Sequence, residues 1–179
     1  SVIGARNVDG DIVIYPLSRN VHEDGILRTS CSLVDAPELA ERAETYIRRL
    51  LGHLDYVGVM ALELFVCGDD LMANEFAPRV HNSGHWTIEG ARTSQFENHL
   101  RAVMNQPLGS TTNLGHAGMV NLIGEIPDAA RSLEQGELHD YGKSPRPGRK
   151  LGHITVTADT AASRDELIDI IHQSVTRSA

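Results

Sequence analysis

Glu63 and Glu75 stand inside two otherwise apolar, strand-forming runs, residues 60–66 and 71–77, joined by Cys67 to Asp70 as a turn. Both are equidistant from Asp69, so a symmetric hairpin centred there sets the two carboxylates opposite each other on one face of a sheet. Like charges so placed repel by roughly 3 kcal/mol at about 5 Å and an effective dielectric near 20. Residues 50–78 contain no Lys or Arg, and the first local counter-charge is Arg79. A bridging divalent cation would offset the repulsion, and Mg2+ is typically held by one or two carboxylates together with substrate phosphates. Two solvated glutamates on an edge hairpin are the plainer alternative.

The next stretch gathers Arg79, His81, Asn82, Ser83 and His85 into seven positions. Arg offers a planar fork for a carbonate-like or carboxylate-like anion, and His, Asn and Ser add donors around it. The alternative is an ordinary turn at Asn82, Ser83 and Gly84 with both histidines satisfied locally. A zinc pair at His81 and His85 fits less well, because hydrolase histidines at that spacing sit on a helix with a glutamate between them, and Asn, Ser and Gly break a helix. Further on, residues 141–153 bring Lys143, Arg146, Arg149 and Lys150 together in an acidic chain, with Pro145, Pro147 and Gly148 restricting the loop. Such a loop suits a phosphate clamp, although a solvated basic turn has the same charge. No Gly-rich phosphate loop with its lysine accompanies it.

These groups need elements to carry them. Three strand-like runs, residues 2–5, 11–17 and 26–33, are separated by Asp9-Gly10 and Asp24-Gly25 and predict an antiparallel meander. Asp35 with Glu38 predicts the capped start of a helix whose apolar positions Leu39, Ala43, Tyr46, Ile47, Leu50 and Leu51 cover the sheet. Ser94 with Glu97 predicts a second helix, ended by Pro107, and Ser163 with Glu166 a third over residues 164–175. Residues 119–123 and 154–157 read as further strands.

A chain of 179 residues that is 41% apolar is long enough for one domain, or one with a small second unit. A net charge of −8 argues against a general nucleic-acid binder while leaving room for a local basic pocket. Two cysteines, Cys31 and Cys67, without CxxC spacing indicate neither a disulfide framework nor a zinc module and fit a reducing, cytoplasmic setting. No apolar run approaches a membrane span. The chain starts without Met, directly in a strand-like run, and is expected to be a piece of a longer polypeptide.

The stretch NEFAPRVHNSGHWTIEGARTSQFENHLRA together with YGKSPRPGRKLGH resembles the 5-(carboxyamino)imidazole ribonucleotide synthetase family, ATP-grasp ligases of de novo purine synthesis. The resemblance runs from GARNVDGDIVIYPLSRNVHEDGILRTS to about Thr157. It implies an α+β chain: the C-terminal portion of an ATP-grasp domain over residues 1–106, largely antiparallel sheet with covering helices, then a small β-rich C-terminal domain over residues 107–179. The family's N-terminal domain and lid lysines have no match here. The resemblance further implies ATP and Mg2+ as cofactors, with Glu63 and Glu75 as metal ligands and Asn74 with Glu75 at the nucleotide. Arg79, His81 and Asn82 match its bicarbonate pocket, and Lys143 and Arg149 match residues that hold the phosphate of 5-aminoimidazole ribonucleotide. The implied reaction phosphorylates bicarbonate to carboxyphosphate and then carboxylates the amine, in a cytoplasmic homodimer that binds no nucleic acid and no membrane, with this chain inactive alone. Another ATP-grasp carboxylate-amine ligase and a non-catalytic binding domain are the competing readings. Neither cysteine is read as catalytic.

Overall fold

Consecutive residues of the first strand bury against different partners, and this double burial organises the molecule. Val2 faces a helix with Met60 and Leu62, whereas Ile3 and Ala5 face Trp86 with Val59 and Ala61, the two-residue period of a strand covered on both sides. The computed structural model describes residues 1–33, 35–68 and 70–176. Asp69, the centre of the symmetric hairpin expected above, lies outside them. The elements are β1 (Val2–Arg6), β2 (Ile12–Ile14), β3 (Leu17–Glu23), β4 (Ile26–Leu33), α1 (Pro37–His53), β5 (Gly58–Cys67), β6 (Asp70–Ala77), α2 (Thr87–Gly90), α3 (Gln95–Val103), β7 (His116–Ile123), α4 (Asp128–Arg131), β8 (Glu137–Asp140), β9 (Lys150–Ala158) and α5 (Ala161–Thr176).

They form two antiparallel sheets, one in the order β2-β1-β5-β6 and the other β3-β4-β7-β9-β8. Helix α1 packs on the first sheet through Ala43, Ile47 and Leu51. Trp86, Tyr15 and Met119 fill the space between the first sheet and β7, and Ile168 and Ile171 of α5 cover the other face of β7 and β9.

The expected meander does not form. The run over residues 11–17 breaks at Tyr15-Pro16, so β2 stays with β1 while β3 pairs with β4 in the second sheet. The break follows from the residues: the buried Tyr15 hydroxyl is tied to the Thr93 carbonyl at 2.9 Å, and Pro16 has no N–H to continue a ladder. Strand β3 escapes the hydrophobic pattern because Ser18, Arg19, Asn20, His22 and Glu23 dominate it. Two caps also differ. Helix α1 starts from Ala36 with Pro37 in its first turn and no capping bond from Asp35, proline supplying the preset φ that starts a helix. Helix α5 begins earlier than expected, and Thr160, not Ser163, takes the cap, its Oγ1 accepting from the Ser163 N–H at 3.1 Å. Ser94 does cap α3, accepting from the Glu97 N–H at 3.1 Å.

Candidate functional site

Glu63 and Glu75 are directly paired across β5 and β6. The ladder shifts register between Glu63 and Leu64, so that Leu64 pairs with Ala73 and Asn74 becomes the extra residue of a bulge. A bulge re-aims side chains beside a site, and Asn74 and Glu75 both line the same cavity as Glu63. The pairing of the glutamates was legible; the bulge beneath it was not.

The loop after β6 brings a third group to the pair. His81 Nε2 lies 3.7 Å from Glu63 Oε1, and one ligand atom from each of Glu63, Glu75 and His81 falls within 4.8 Å of the others. Two carboxylates fit a hard divalent cation. The imidazole is held from its far side, where Nδ1 accepts from the Ser83 backbone N–H and meets Ser83 Oγ at 2.9 Å. A backbone N–H can only donate, so in neutral His81 the proton sits on Nε2, facing the carboxylate. Burial lowers the His81 pKa, with the Glu63 charge working against that shift.

Helix α3 fixes this loop. Gln95, fully buried, accepts from the His81 N–H at 2.9 Å and donates to the His81 carbonyl at 2.6 Å. Its own N–H donates to Thr87 Oγ1, which in turn donates to the Gly84 carbonyl. A Cβ on Gly84 would overlap Cδ1 of Ile3 and crowd the Gln95 amide, so the loop's close seat on the first sheet is one that a side chain at this position would force Ile3 to give way to.

The cavity, about 770 Å³, is lined by Glu63, Asn74, Glu75, Arg79, His81 and Asn82, and by Lys150 at the start of β9. Lys150 was not among the expected site residues, because its charge could not be told apart from its neighbours in the basic loop. Arg79 is exposed and donates through Nη1 to its own neighbour's carbonyl, that of Val80. The two expected phosphate ligands do not line this cavity. Arg149 donates to the Ser144 carbonyl within the loop, and Lys143 lies over the Tyr141 ring, 4.9 Å from its centre, beside a second cavity of about 420 Å³.

That second cavity borders a network that was not expected. Tyr141 Oη lies 2.9 Å from His85 Nδ1 and 2.8 Å from His153 Nδ1, and the His139 and His153 rings stack at 4.5 Å. His139 and His153 are cross-strand partners on β8 and β9, and His139 Nε2 meets Glu89 Oε1 at 2.6 Å. Burial pushes the His85 pKa down to about 4 and that of His153 to about 3, and the Tyr141 pKa up to about 12. Strand β8 carries only four residues and no alternating apolar pattern, so nothing in the sequence announced it.

The ATP-grasp domain family model matches residues 1–96, which contain both glutamates and the Arg79 to His85 loop. The chain belongs to the ATP-grasp family. A second family model, the phosphoribosylaminoimidazole carboxylase C-terminal domain, matches residues 117–167. This ATP-grasp chain is similar to N5-carboxyaminoimidazole ribonucleotide synthase of Vibrio cholerae, with 52% identity over 161 residues, 89% of this chain and 42% of that protein. Its fold is similar to the crystal structure of N5-carboxyaminoimidazole ribonucleotide synthetase from Thermus thermophilus, with a TM-score of 0.93, 50% identity, and coverage of 98% of this chain and 50% of the other. It is also similar to N5-carboxyaminoimidazole synthase of Aspergillus clavatus in complex with ADP and 5-aminoimidazole ribonucleotide, with a TM-score of 0.89, 34% identity, and coverage of 98% of this chain and 51% of the other. The family resemblance seen in the sequence is therefore borne out. The chain spans about half the length of the relatives it matches. Among the described residues no helix is long and apolar enough to cross a membrane.

Proposed function

We propose that this chain is the C-terminal portion of an ATP-dependent ligase that carboxylates 5-aminoimidazole ribonucleotide with bicarbonate, through carboxyphosphate, to 5-(carboxyamino)imidazole ribonucleotide. The observation that carries it is one cavity in which the paired carboxylates of Glu63 and Glu75 face the Arg79 to Asn82 loop. Glu63 and Glu75 would hold Mg2+, which when bound supplies the positive charge that neutralises the ATP phosphates. Asn74 and Glu75 would border the nucleotide. Arg79 would restrain the attacking bicarbonate through its planar fork, with the His81 Nε2–H donating beside it. No covalent protein nucleophile is needed, and Cys31 is buried within the second sheet.

Lys143 and Arg149 belong to this proposal as ligands of the ribonucleotide phosphate. Gly148 adopts a φ of 72° and the Arg149 N–H donates to the Arg146 carbonyl at 3.0 Å, so the loop ends in a defined turn that presents Arg149. The division into an ATP-grasp portion over residues 1–106 and a small domain over residues 107–179 is likewise a proposal, supported by the matched spans 1–96 and 117–167. Strands β3 and β4 share a sheet with β7, β9 and β8, so the small domain would be built onto the ATP-grasp portion through a common sheet. Assembly as a homodimer in the cytoplasm completes the proposal.

The test is ADP release by the full-length enzyme containing this chain. It should require bicarbonate. Arg79→Lys, which keeps the charge and loses the bidentate fork, should lower bicarbonate-dependent turnover with ADP affinity kept; loss of ADP affinity alone would misplace Arg79. Arg149→Ala should raise the KM for 5-aminoimidazole ribonucleotide roughly ten- to a hundredfold, since a charge-assisted contact contributes about 1.5–3 kcal/mol. An unchanged KM would remove Arg149 from the phosphate site.

A further inference from the structure

Two loops far apart in sequence carry the proposed substrate ligands: residues 79–85 hold Arg79, His81 and Asn82, and residues 142–149 hold Lys143 and Arg149. The second loop joins β8 to β9 and is exposed over residues 142–148, so whatever sets it against the first must act at its root. There the Tyr141 N–H donates to the Leu151 carbonyl at 2.8 Å, and Asp140 Oδ1 accepts from the Gly142 N–H at 2.9 Å. From this root the Tyr141 side chain reaches the first loop. Its hydroxyl lies 2.9 Å from His85 Nδ1 and 2.8 Å from His153 Nδ1, while Lys143 Nζ rests 4.9 Å from the centre of its ring.

A hydroxyl has one proton to give, so at most one of the two imidazoles accepts from Tyr141. Which one is set at the far end of the chain of bonds. Asn121 donates through Nδ2 to the Leu27 carbonyl at 2.9 Å, and because a carbonyl only accepts, this bond fixes how the Asn121 amide is turned. Asn121 and Asn82 then pair amide to amide: Asn121 Nδ2 donates to Asn82 Oδ1 at 2.7 Å, and Asn82 Nδ2 donates to Asn121 Oδ1 at 2.9 Å. The second Asn82 N–H faces His85 Nδ1 at 3.4 Å, a long contact that still favours a lone pair there over a second N–H. Burial keeps His85 and His153 neutral, so each ring carries a single N–H. His85 therefore has its proton on Nε2, the Tyr141 hydroxyl donates to His85 Nδ1, and the His153 Nδ1–H donates to Tyr141. The hydroxyl closes the chain by accepting on one side and donating on the other, which a phenylalanine ring cannot do.

We infer that Tyr141 is a positioning residue that sets the ribonucleotide-phosphate loop against the bicarbonate loop, its backbone rooting the one and its hydroxyl holding His85 of the other. This rests on the functional proposal above. Tyr141 does not line the first cavity; it acts through His85, whose Nδ1 faces Asn82, and through the root of the segment that carries Lys143 and Arg149. Loss of the hydroxyl should therefore weaken both substrates together.

The experiment is steady-state kinetics of the full-length enzyme with Tyr141→Phe, His85→Leu, His85→Asn and the double variant of Tyr141→Phe with His85→Leu, each below its own melting temperature. Tyr141→Phe should raise the KM values for 5-aminoimidazole ribonucleotide and bicarbonate together, about fivefold or more, with the KM for ATP within about twofold. His85→Leu should do the same, and the double variant should lie within about twofold of the stronger single one, because both break the same bond. His85→Asn should recover most of the loss, since its Oδ1, attached to Cγ as Nδ1 is, can accept from Tyr141. A purely structural role would lower the melting temperature and the active fraction with KM values unchanged. That result would overturn the inference, as would a rise confined to one of the two substrates. Nitrogen NMR of histidine-labelled enzyme near neutral pH should find the His85 proton on Nε2 and the His153 proton on Nδ1, and the reverse in either ring breaks the chain and the inference with it. If the parent releases ADP without bicarbonate, the functional proposal fails and the NMR readout still decides the chain. If the parent depends on bicarbonate and Tyr141→Phe keeps both KM values, only the role of Tyr141 fails.

Discussion

His81 and His85 sit four residues apart in one loop, yet they belong to regions of opposite character. His81 presents Nε2 to Glu63 across an open cavity that also holds Glu75, Arg79 and Lys150. His85 turns to Tyr141 and through it to His153, in a cluster of rings held neutral by burial. In the first region charges lie side by side with hydrogen-bonding capacity left over; in the second the polar atoms bond mainly to one another. The same residue type, histidine, enters both. What separates a reactive cavity from a structural network is how much of that capacity the protein itself has already used.

The largest effect should come from the cavity. Glu63→Gln or Glu75→Gln in the full-length enzyme should abolish ATP turnover while leaving thermal stability equal to or above the parent's, because a repulsive cross-strand pair is relieved. A circular-dichroism melt and an ADP-release assay on the same samples check both halves. Normal turnover in both variants would erase the distinction between the two regions.

Next comes the clamp that aims His81. Gln95→Leu leaves the His81 N–H and carbonyl without their partners, and two buried orphaned groups cost about 2–5 kcal/mol together. Urea unfolding should show that loss. Stability within about 0.5 kcal/mol of the parent would mean the loop is held elsewhere.

The sequence exposed much of the cavity and little of its support. Glu63 and Glu75 were legible because two ionisable residues in apolar strands need an explanation, and their spacing set them opposite each other. Their register, however, depends on the bulge at Asn74, and no local signal marks which residue of a strand will be extra. Gln95 reads from sequence as the first residue of a helix and nothing more; its clamp joins positions 14 apart through a buried side chain. Strands β3 and β8 are polar and edge-placed, so pattern alone passes over them, and with β8 went the His139 and His153 pairing. Turn dipeptides and apolar spacing marked most of the elements and the family resemblance supplied the fold class, whereas the separation into two sheets followed from Tyr15 and Pro16, whose effect is tertiary.

The neutral network should show itself in pH. His85 and His153 titrate near 6.5 when unfolded and at about 4 and about 3 when folded, so between these values the unfolded chain binds more protons. Stability should therefore fall as pH drops below about 6.5, and level off only near the folded values. Tyr141→Phe removes the hydroxyl that both imidazoles share and should cost about 1–3 kcal/mol. Melts of parent and variant at pH 7 and pH 5 check this. A parent melting temperature that rises on acidification would place the histidines outside the network.

The smallest effect tests whether both regions hang from one helix end. Helix α3 supplies Gln95 to the cavity side and Phe96, whose ring lies 5.2 Å from that of His85, to the network side. Ser94 caps that end, its Oγ accepting from the Glu97 N–H at 3.1 Å, while Glu97 pairs with Arg101 at 2.7 Å along the helix and does not complete a reciprocal box. Ser94→Ala should cost about 1 kcal/mol, the ordinary value of a lost cap, because tertiary contacts on both sides still hold the first turn. Kinetic constants should stay within about twofold. If the variant instead loses stability on the scale of Gln95→Leu and turnover falls with it, the cap is the common support of the two regions, and the clamp and the ring contact are its dependants.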